Sequence, residues 1–477
     1  MKSVPDSDDP AVRLFVPGRI EVLGKHTDYA GGRSLLAAVD RGFTVAVAAV
    51  EDDAITVVDT VRGERVRIPL SGHAESGAAV LASGASSAPG ATTESGSESA
   101  SESAPGSASA SAEPAWAVYP RTVVGRMARD FPGRLTGCRI ELSSDLPAAA
   151  GLSSSSALIT AIFLALDAVS GFSRSERYRA AIGGPPLAAE PTARVAPEAR
   201  EALAGYLGAV ERGSPFPGLG SAREPGSTPE AGAGGGAEGV GTRGGSEDHV
   251  AILCAEPGAL VRYVFEPVRA EGAVAVPAGH VFVVAASGVV APKTGSARDR
   301  YNRLSDDAAR VAAIWRKATG ESHAHIGAIL DDAGVRRLHD VVWCGARRGE
   351  RDALRRRVRH FAAESTEIVP AAADALAAGD LARFGELVDR SQALAEELLG
   401  NQVPETVQLA RSARDLGAAA ASAFGAGFGG SVWALVSTSD AVVFVDDWRA
   451  RYLDAFPGRT SEAAFFISPA ATPARTR

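Results

Sequence analysis

Apolar and polar positions divide the chain into strand-like and helix-like runs. LFVPGRIEVLG, near the N-terminus, starts as a strand and continues into a turn. FTVAVAAV, AITVVDT and CRIELSSDL have the β-branched, alternating character of half-buried strands. SALITAIFLALDAVSG, from Ser156, is too long and too continuously apolar for a strand and predicts a buried helix closed by Gly171. VFVVAASG, at 281–288, reads as a short buried strand. Helical spacing then dominates over 298–319, 335–344, 350–378, 381–399 and 406–416. Two late runs, SVWALV (431–436) and DAVVFV (440–445), predict strands. Strands and helices mixed in both halves, with no tandem repeat, imply an α+β protein of two domains, 10–280 and 281–466.

A length of 477 residues is enough for two sizeable cores. Two segments would contribute nothing to them. Residues 71–113, with ESGSESASESA, and 212–239 are almost all Ser, Ala, Gly, Pro and Glu. They have too little apolar surface to offset their ordering entropy and read as disordered inserts. Residues 183–196 are a milder case. The net charge of −8 argues against a nucleic-acid partner. Cys138, Cys254 and Cys344 lie far apart without metal or disulfide spacing and read as core residues of a reduced compartment. MKSVPDSDDP lacks the apolar run of a signal peptide. The longest apolar stretch, 157–169, carries Asp167 and is too short to span a bilayer. No membrane partner and a cytoplasmic location are therefore expected.

Four stretches carry chemistry. PGRIEVLGKHTDYAGG (17–32) is almost a P-loop, but five residues separate Gly18 from Gly24, and His26 follows Lys25 where Ser or Thr is needed. DLPAAAGLSSSSALITAIFLAL joins a strand to a long helix through a small-residue loop. Free amides and the positive end of the helix dipole would converge there on an anion, although serine can also merely cap the helix. ASAFGAGFGGSVWALV places Gly425, Gly427, Gly429 and Gly430 before a strand, as a close backbone approach or as ordinary tight turns. GTRGGSEDHVAIL delivers Glu247, Asp248 and His249 into an apolar run, with Asp248 either a general base or a helix cap. SHAHIG and RRGERDALRRRVRH are read as a surface loop and a solvated helix face.

Together the four stretches resemble the GHMP kinase superfamily and its galactokinase-like branch. PGRIEVLGKHTDYAGG is similar to the galactokinase signature PGRVNLIGEHTDYNGG. Pro147, Gly151, Leu152, Ser154 and Ser155 fit the phosphate loop P-x-x-x-G-L-x-S-S. FGAGFGG is similar to TGAGFGG, and GGSEDH to GGxMDQ. The resemblance implies a two-domain GHMP kinase fold with a mixed-sheet N-terminal domain and a helix-rich C-terminal domain. It also implies a monomeric kinase that uses ATP and Mg²⁺ to phosphorylate a small-molecule sugar, galactose or a relative, at the anomeric hydroxyl.

By the same resemblance, Arg19 and Asp248 would be catalytic. Lys25, His26, Asp28, Gly245 and Tyr301 would face the sugar. Pro147, Gly151, Leu152, Ser153, Ser154, Ser155, Gly427 and Gly429 would hold ATP, and Ser155 and Glu211 the metal. Three positions depart from the family pattern. Lys25 stands for a glutamate, Glu21 for an asparagine and His249 for a glutamine. These departures leave open a different or acidic sugar, and a regulatory protein that senses sugar and ATP without turnover is a further alternative.

Overall fold

In the computed structural model, residues 12–71, 113–148, 150–184, 195–219, 239–290 and 295–476 are described. Most of the low-complexity sequence (72–112, 185–194 and 220–238) lies outside them. The first strand pattern becomes β1 (Val12–Leu23), paired antiparallel with the long β2 (Arg33–Ala49) from Val12–Val47 to Leu23–Leu35. The register shifts between Pro17 and Arg19 and again between Glu21 and Leu23. Pro17 has no N–H for the ladder, and such irregularities re-aim side chains. Here they flank the signature residues Arg19 and Glu21.

β3 (Ala54–Asp59) and β4 (Glu64–Pro69) form a hairpin. α1 (Val118–Asp130) leads to β5 (Cys138–Ser144), which lies parallel to β3 and antiparallel to the second half of β2. α2 (Ser154–Ser170) begins two residues before the predicted start and ends, as predicted, at Gly171, which is left-handed. The short α3 (Glu176–Ala181), α4 (Pro197–Arg212) and α5 (Glu247–Cys254) follow. β6 (Ala259–Val264) pairs with the first part of β2 and with β7 (Arg269–Ala275).

A second, wholly antiparallel sheet starts at β8 (His280–Ala286). α6 (Gly295–Thr319), α7 (Ile326–Gly345), α8 (Arg351–Phe361), α9 (Val369–Ala377), α10 (Leu381–Leu394) and α11 (Pro404–Asp415) come next. A π-helical segment, Ala362–Ile368, joins α8 to α9. β9 (Ala420–Phe424) and β10 (Ser431–Ser437) flank the glycine-rich turn, and β11 (Ala464–Ser468) follows α12 (Ala441–Ala455). The strand order of this sheet is β11-β8-β10-β9. The tail then returns to the first sheet, where β12 (Arg475–Thr476) pairs with β1.

The two sheets share apolar contacts. Ile20, Val22, Leu35 and Val39 of the first pack in one buried cluster with Phe282, Val284, Trp433 and Leu435 of the second. A second cluster lies under α1, α2, α4 and α5, and a third between the second sheet, α11 and α12. Among the described residues no helix is long and apolar enough to cross a membrane, and the 157–169 run is the buried middle of α2.

Two expectations fail. DAVVFV is not a strand but the start of α12. The deciding residues lie outside the six-residue window: Ala441, Phe444, Trp448 and Tyr452 recur at helical spacing and are buried, whereas Val442 and Val443 are 67% and 63% exposed. The β-branched pair had suggested a strand, but the longer apolar face fixes a helix. Cys344 is exposed on α7, although Cys138 and Cys254 are buried. The fully buried Trp448 donates its indole N–H to the Leu409 carbonyl at 3.1 Å. Trp448→Ala is therefore expected to cost about 3–5 kcal/mol. Val442→Ala should stay within about 0.5 kcal/mol. Chemical denaturation of both variants checks this, and equal losses would contradict the helical face.

Candidate active site

β1 and the first turn of α5 bring together two side chains 229 residues apart. Arg19 Nε donates to Asp248 Oδ1 at 2.7 Å, and a terminal nitrogen of the same guanidinium lies 2.6 Å from that oxygen. Its other terminal nitrogen donates to the Gly151 carbonyl at 2.7 Å. The arginine thus joins the acidic turn to the serine loop. Its side chain is 4% exposed and that of Asp248 17%, so the carboxylate is the member open to a ligand.

Both line a cavity whose other walls are the serine loop, the end of α4, the signature loop and the glycine-rich turn. Ser153 enters α2 in a left-handed conformation (φ 58°), and its buried hydroxyl has no partner among the described residues. Ser154, Ser155 and Ser156 follow on the first turn of α2 and also line the cavity. Ser156 Oγ donates to Glu211 Oε2 at 2.7 Å and lies 3.2 Å from Asp248 Oδ2. Glu211 Oε2 is also 3.0 Å from Nε2 of the fully buried His249, whose Nδ1 is 3.2 Å from the Thr160 hydroxyl. Glu211 and the serine hydroxyls form an oxygen-rich corner, the donor chemistry of a hard divalent cation.

The signature loop supplies the opposite wall. Asp28 accepts from the backbone N–H groups of Tyr29 (2.8 Å) and Glu247 (3.3 Å), the latter the first residue of α5. Burial, then the nearby Asp248 charge, push its carboxyl up to about 6 against those hydrogen bonds. A Cβ on Gly245 would sit 2.3 Å from Asp28 Oδ2, so only glycine lets the turn close on this carboxylate. His26 is held by Tyr29 OH at Nδ1 (2.9 Å) and the Ala426 carbonyl at Nε2 (3.2 Å). Burial, then the Arg357 charge, push its imidazole down to about 3, so it is neutral. Tyr301 lines the cavity with its ring 5.4 Å from that of His26.

Most of the residues singled out from sequence therefore meet at one place: Arg19, His26, Asp28, Gly151, Ser153, Ser154, Ser155, Glu211, Gly245, Asp248, Tyr301, Gly427 and Gly429. Three do not line it. Leu152 packs in the core between the sheets, and Pro147 is outside the lining. Lys25 is 1% exposed and turns away toward α10, where Nζ donates to Ser391 Oγ at 2.9 Å. Glu364, from the π-helical segment, accepts from that hydroxyl at 2.9 Å and from the N–H groups of Gly24 (2.8 Å) and Lys25 (3.4 Å). The lysine thus belongs to a buried joint beneath the loop. Gly427 is required by protein packing, since a Cβ there would lie 2.4 Å from the Asn401 carbonyl oxygen.

Sequence reasoning assigned no site role to Ser156 or Glu247 and took Glu21 only as a departure from the signature on its sugar side; all three line the cavity. Ser156 could have been found as the fourth serine of the run. Glu21 lies two residues beyond Arg19 on β1, and Glu247 immediately precedes Asp248. His323 and His325 do not converge: His325 accepts from the Ala328 N–H at the start of α7, and His323 lies near Glu321 and Asp332.

Three family models match the chain: the GHMP kinases N terminal domain over residues 118–184, the GHMP kinases C terminal region over 372–454 and the galactokinase galactose-binding signature over 5–49. A galactokinase of Roseiflexus sp. (strain RS-1) is 36% identical over 132 residues, 27% of this chain and 33% of that protein. One from Actinobacillus pleuropneumoniae serotype 5b (strain L20) is 26% identical over 148 residues, 31% of this chain and 29% of that protein. The chain thus aligns with about a third of the length of these curated relatives. The fold is similar to that of Lactococcus lactis galactokinase complexed with galactose, with a TM-score of 0.69 and 19% identity over 99% of this chain and 96% of that one. It is also similar to Methanococcus jannaschii mevalonate kinase, with a TM-score of 0.50 and 11% identity over 98% and 100% of the two chains. The GHMP kinase N- and C-terminal models thus match in order, with the galactokinase signature ahead of them, and the fold around them is similar to that of a galactokinase.

Proposed function

We propose that this protein transfers the γ-phosphoryl group of ATP to a hydroxyl, the anomeric one, of galactose or a closely related neutral monosaccharide. The observation that carries the reading is the Arg19–Asp248 pair, facing a cavity shared by the serine loop and the sugar signature. Phosphoryl transfer needs positioning and charge stabilisation more than covalent participation. Asp248 is the exposed member of the pair and takes or orients the proton of the attacking hydroxyl. Arg19 holds that carboxylate in place and stabilises negative charge as it develops. The buried Ser153 hydroxyl, without a partner among the described residues, and the N-terminus of α2 suit the phosphates of ATP. Glu211 and Ser155, with Ser156 beside them, suit Mg²⁺, which would neutralise phosphate charge when bound. His26, Asp28, Gly245 and Tyr301 form the wall assigned to the sugar.

The carboxyl groups of Glu21, Asp28, Glu211, Glu247 and Asp248 share the cavity with only two cationic side chains among the described residues, Arg19 and Arg212. Arg19 is already paired with Asp248, and Arg212 with Glu266 at 3.1 Å. Such a wall opposes a sugar acid, and Lys25 offers such a substrate nothing because it lies outside the lining. A regulator without turnover is disfavoured because Arg19, Ser155, Glu211 and Asp248 all line the cavity.

Asp248→Asn should lower kcat about 10²–10⁴-fold while ATP binding, followed by calorimetry, stays near the parent value. A near-native kcat would remove Asp248 from the role of base. For Lys25→Glu, the joint with Ser391 and Glu364 predicts a fold defect rather than a new sugar preference. A second buried carboxylate beside Glu364, without its cation, is expected to cost about 3–5 kcal/mol. Melting temperature should fall, and the order of preference across a panel of neutral sugars should not change. A changed order at unchanged melting temperature would return Lys25 to the sugar wall.

A further inference from the structure

Glu21 and Glu247 are two buried carboxyl groups to which the phosphoryl transfer above gives no individual role. They are 1% and 8% exposed and in hydrogen-bond contact with each other. Glu21 Oε2 accepts from the Gly425 N–H at 3.1 Å, at the start of the glycine-rich turn. Its Oε1 is buried and meets no N–H or hydroxyl donor among the described residues. Glu247 Oε2 accepts from Ser34 Oγ at 2.9 Å. Two carboxylates in contact at low dielectric cannot both be ionised. If Glu247 carries a proton, it becomes the donor that Glu21 Oε1 lacks.

The surrounding charges agree. Glu21 faces Arg19, Lys25 and Glu364, while Glu247 faces Asp28, Asp248 and Arg19. Arg19 is bonded to Asp248 and Gly151, and Lys25 to Ser391, so neither cation is devoted to the pair. Burial, then the three neighbouring carboxylates, hold the Glu247 carboxyl well above the ordinary range. Burial also raises Glu21, against the pull of Arg19 and Lys25.

We propose that Glu21 and Glu247 share one proton, and that this bond is a positioning device that ties the glycine-rich turn and the Arg19 strand to the helix carrying Asp248. The connectivity supports the role. Glu21 is two residues from Arg19 on β1, Glu247 is adjacent to Asp248 in α5, and Gly425 comes from the second domain. Loss of the proton puts two like charges in contact across that junction and forces it apart. Both groups are positioning residues that act through Arg19, Asp248 and the turn. The positioning part of the proposal rests on the kinase reading above, whereas proton sharing does not.

The sign of the pH dependence follows. A carboxyl whose proton is held more tightly in the fold than in the unfolded chain stabilises the fold at low pH. That contribution is lost as pH rises from the ordinary carboxyl value of about 4.3 through the higher value of the pair. Glu247→Gln keeps a donor toward Glu21 but has no proton to lose, and Glu21→Gln does the same from the other side. The experiment measures melting temperature against pH without substrates, and kcat/KM against pH with each enzyme scaled to its own plateau.

The parent should lose melting temperature with rising pH more steeply than either glutamine variant. Its scaled rate should fall about tenfold per pH unit beyond the midpoint of an alkaline limb that moves upward or disappears in the variants. Identical melting slopes in the parent and in whichever variant folds would overturn the shared proton. Different slopes with superimposable rate profiles would overturn the positioning role. A parent that phosphorylates no sugar would sink the kinase reading and with it the positioning role, while the melting slopes would still decide whether the proton is shared.

Discussion

Arg19 and Asp248 are held by different elements and meet only because the first sheet and α5 are packed together. Their ion pair is largely buried, so each charge depends on the other: removing one would leave an uncompensated charge in a site of several carboxyl groups. The guanidinium also reaches the Gly151 carbonyl, so the same side chain sets the distance between the acidic turn and the serine loop. Cleft geometry is therefore anchored at one residue of β1, at an irregularity in its pairing with β2.

The rest of the site is arranged around that anchor. Asp28 meets the first N–H of α5 and is approached by a turn that needs glycine at Gly245. The signature loop is fastened from below where Lys25 meets Ser391 of α10 and Glu364 of the π-helical segment, and the Arg357 guanidinium reaches the His26 carbonyl. An apolar cluster shared by both sheets supports these polar contacts. The two halves of the chain are thus joined by polar bonds at the cleft and by hydrophobic packing behind it.

Much of this was legible in the sequence because local chemistry determined it. Glycines mark the tight turns, serines the entry to α2, and the acid after Gly244–Gly245 the start of α5. The parts that were not legible depend on direction and distance. Lys25 adjoins residues of the cavity wall, but sequence adjacency does not say which way a side chain leaves a turn, and this one leaves toward Ser391. Val442 and Val443 look like strand residues until the spacing of Trp448 and Tyr452 is included. Glu21 and Glu247 are 226 positions apart, and nothing local to either announces their contact.

The central claim is that this cleft phosphorylates a neutral sugar and excludes acidic ones. The most direct measurement incubates the purified protein with ATP, Mg²⁺ and a panel of galactose, other neutral hexoses, galactosamine and galacturonate, and follows ADP release and the phosphorus and carbon NMR of the products. The account predicts a sugar 1-phosphate from galactose or a close neutral relative and no product from galacturonate. Phosphorylation of the sugar acid in preference to every neutral sugar would contradict it.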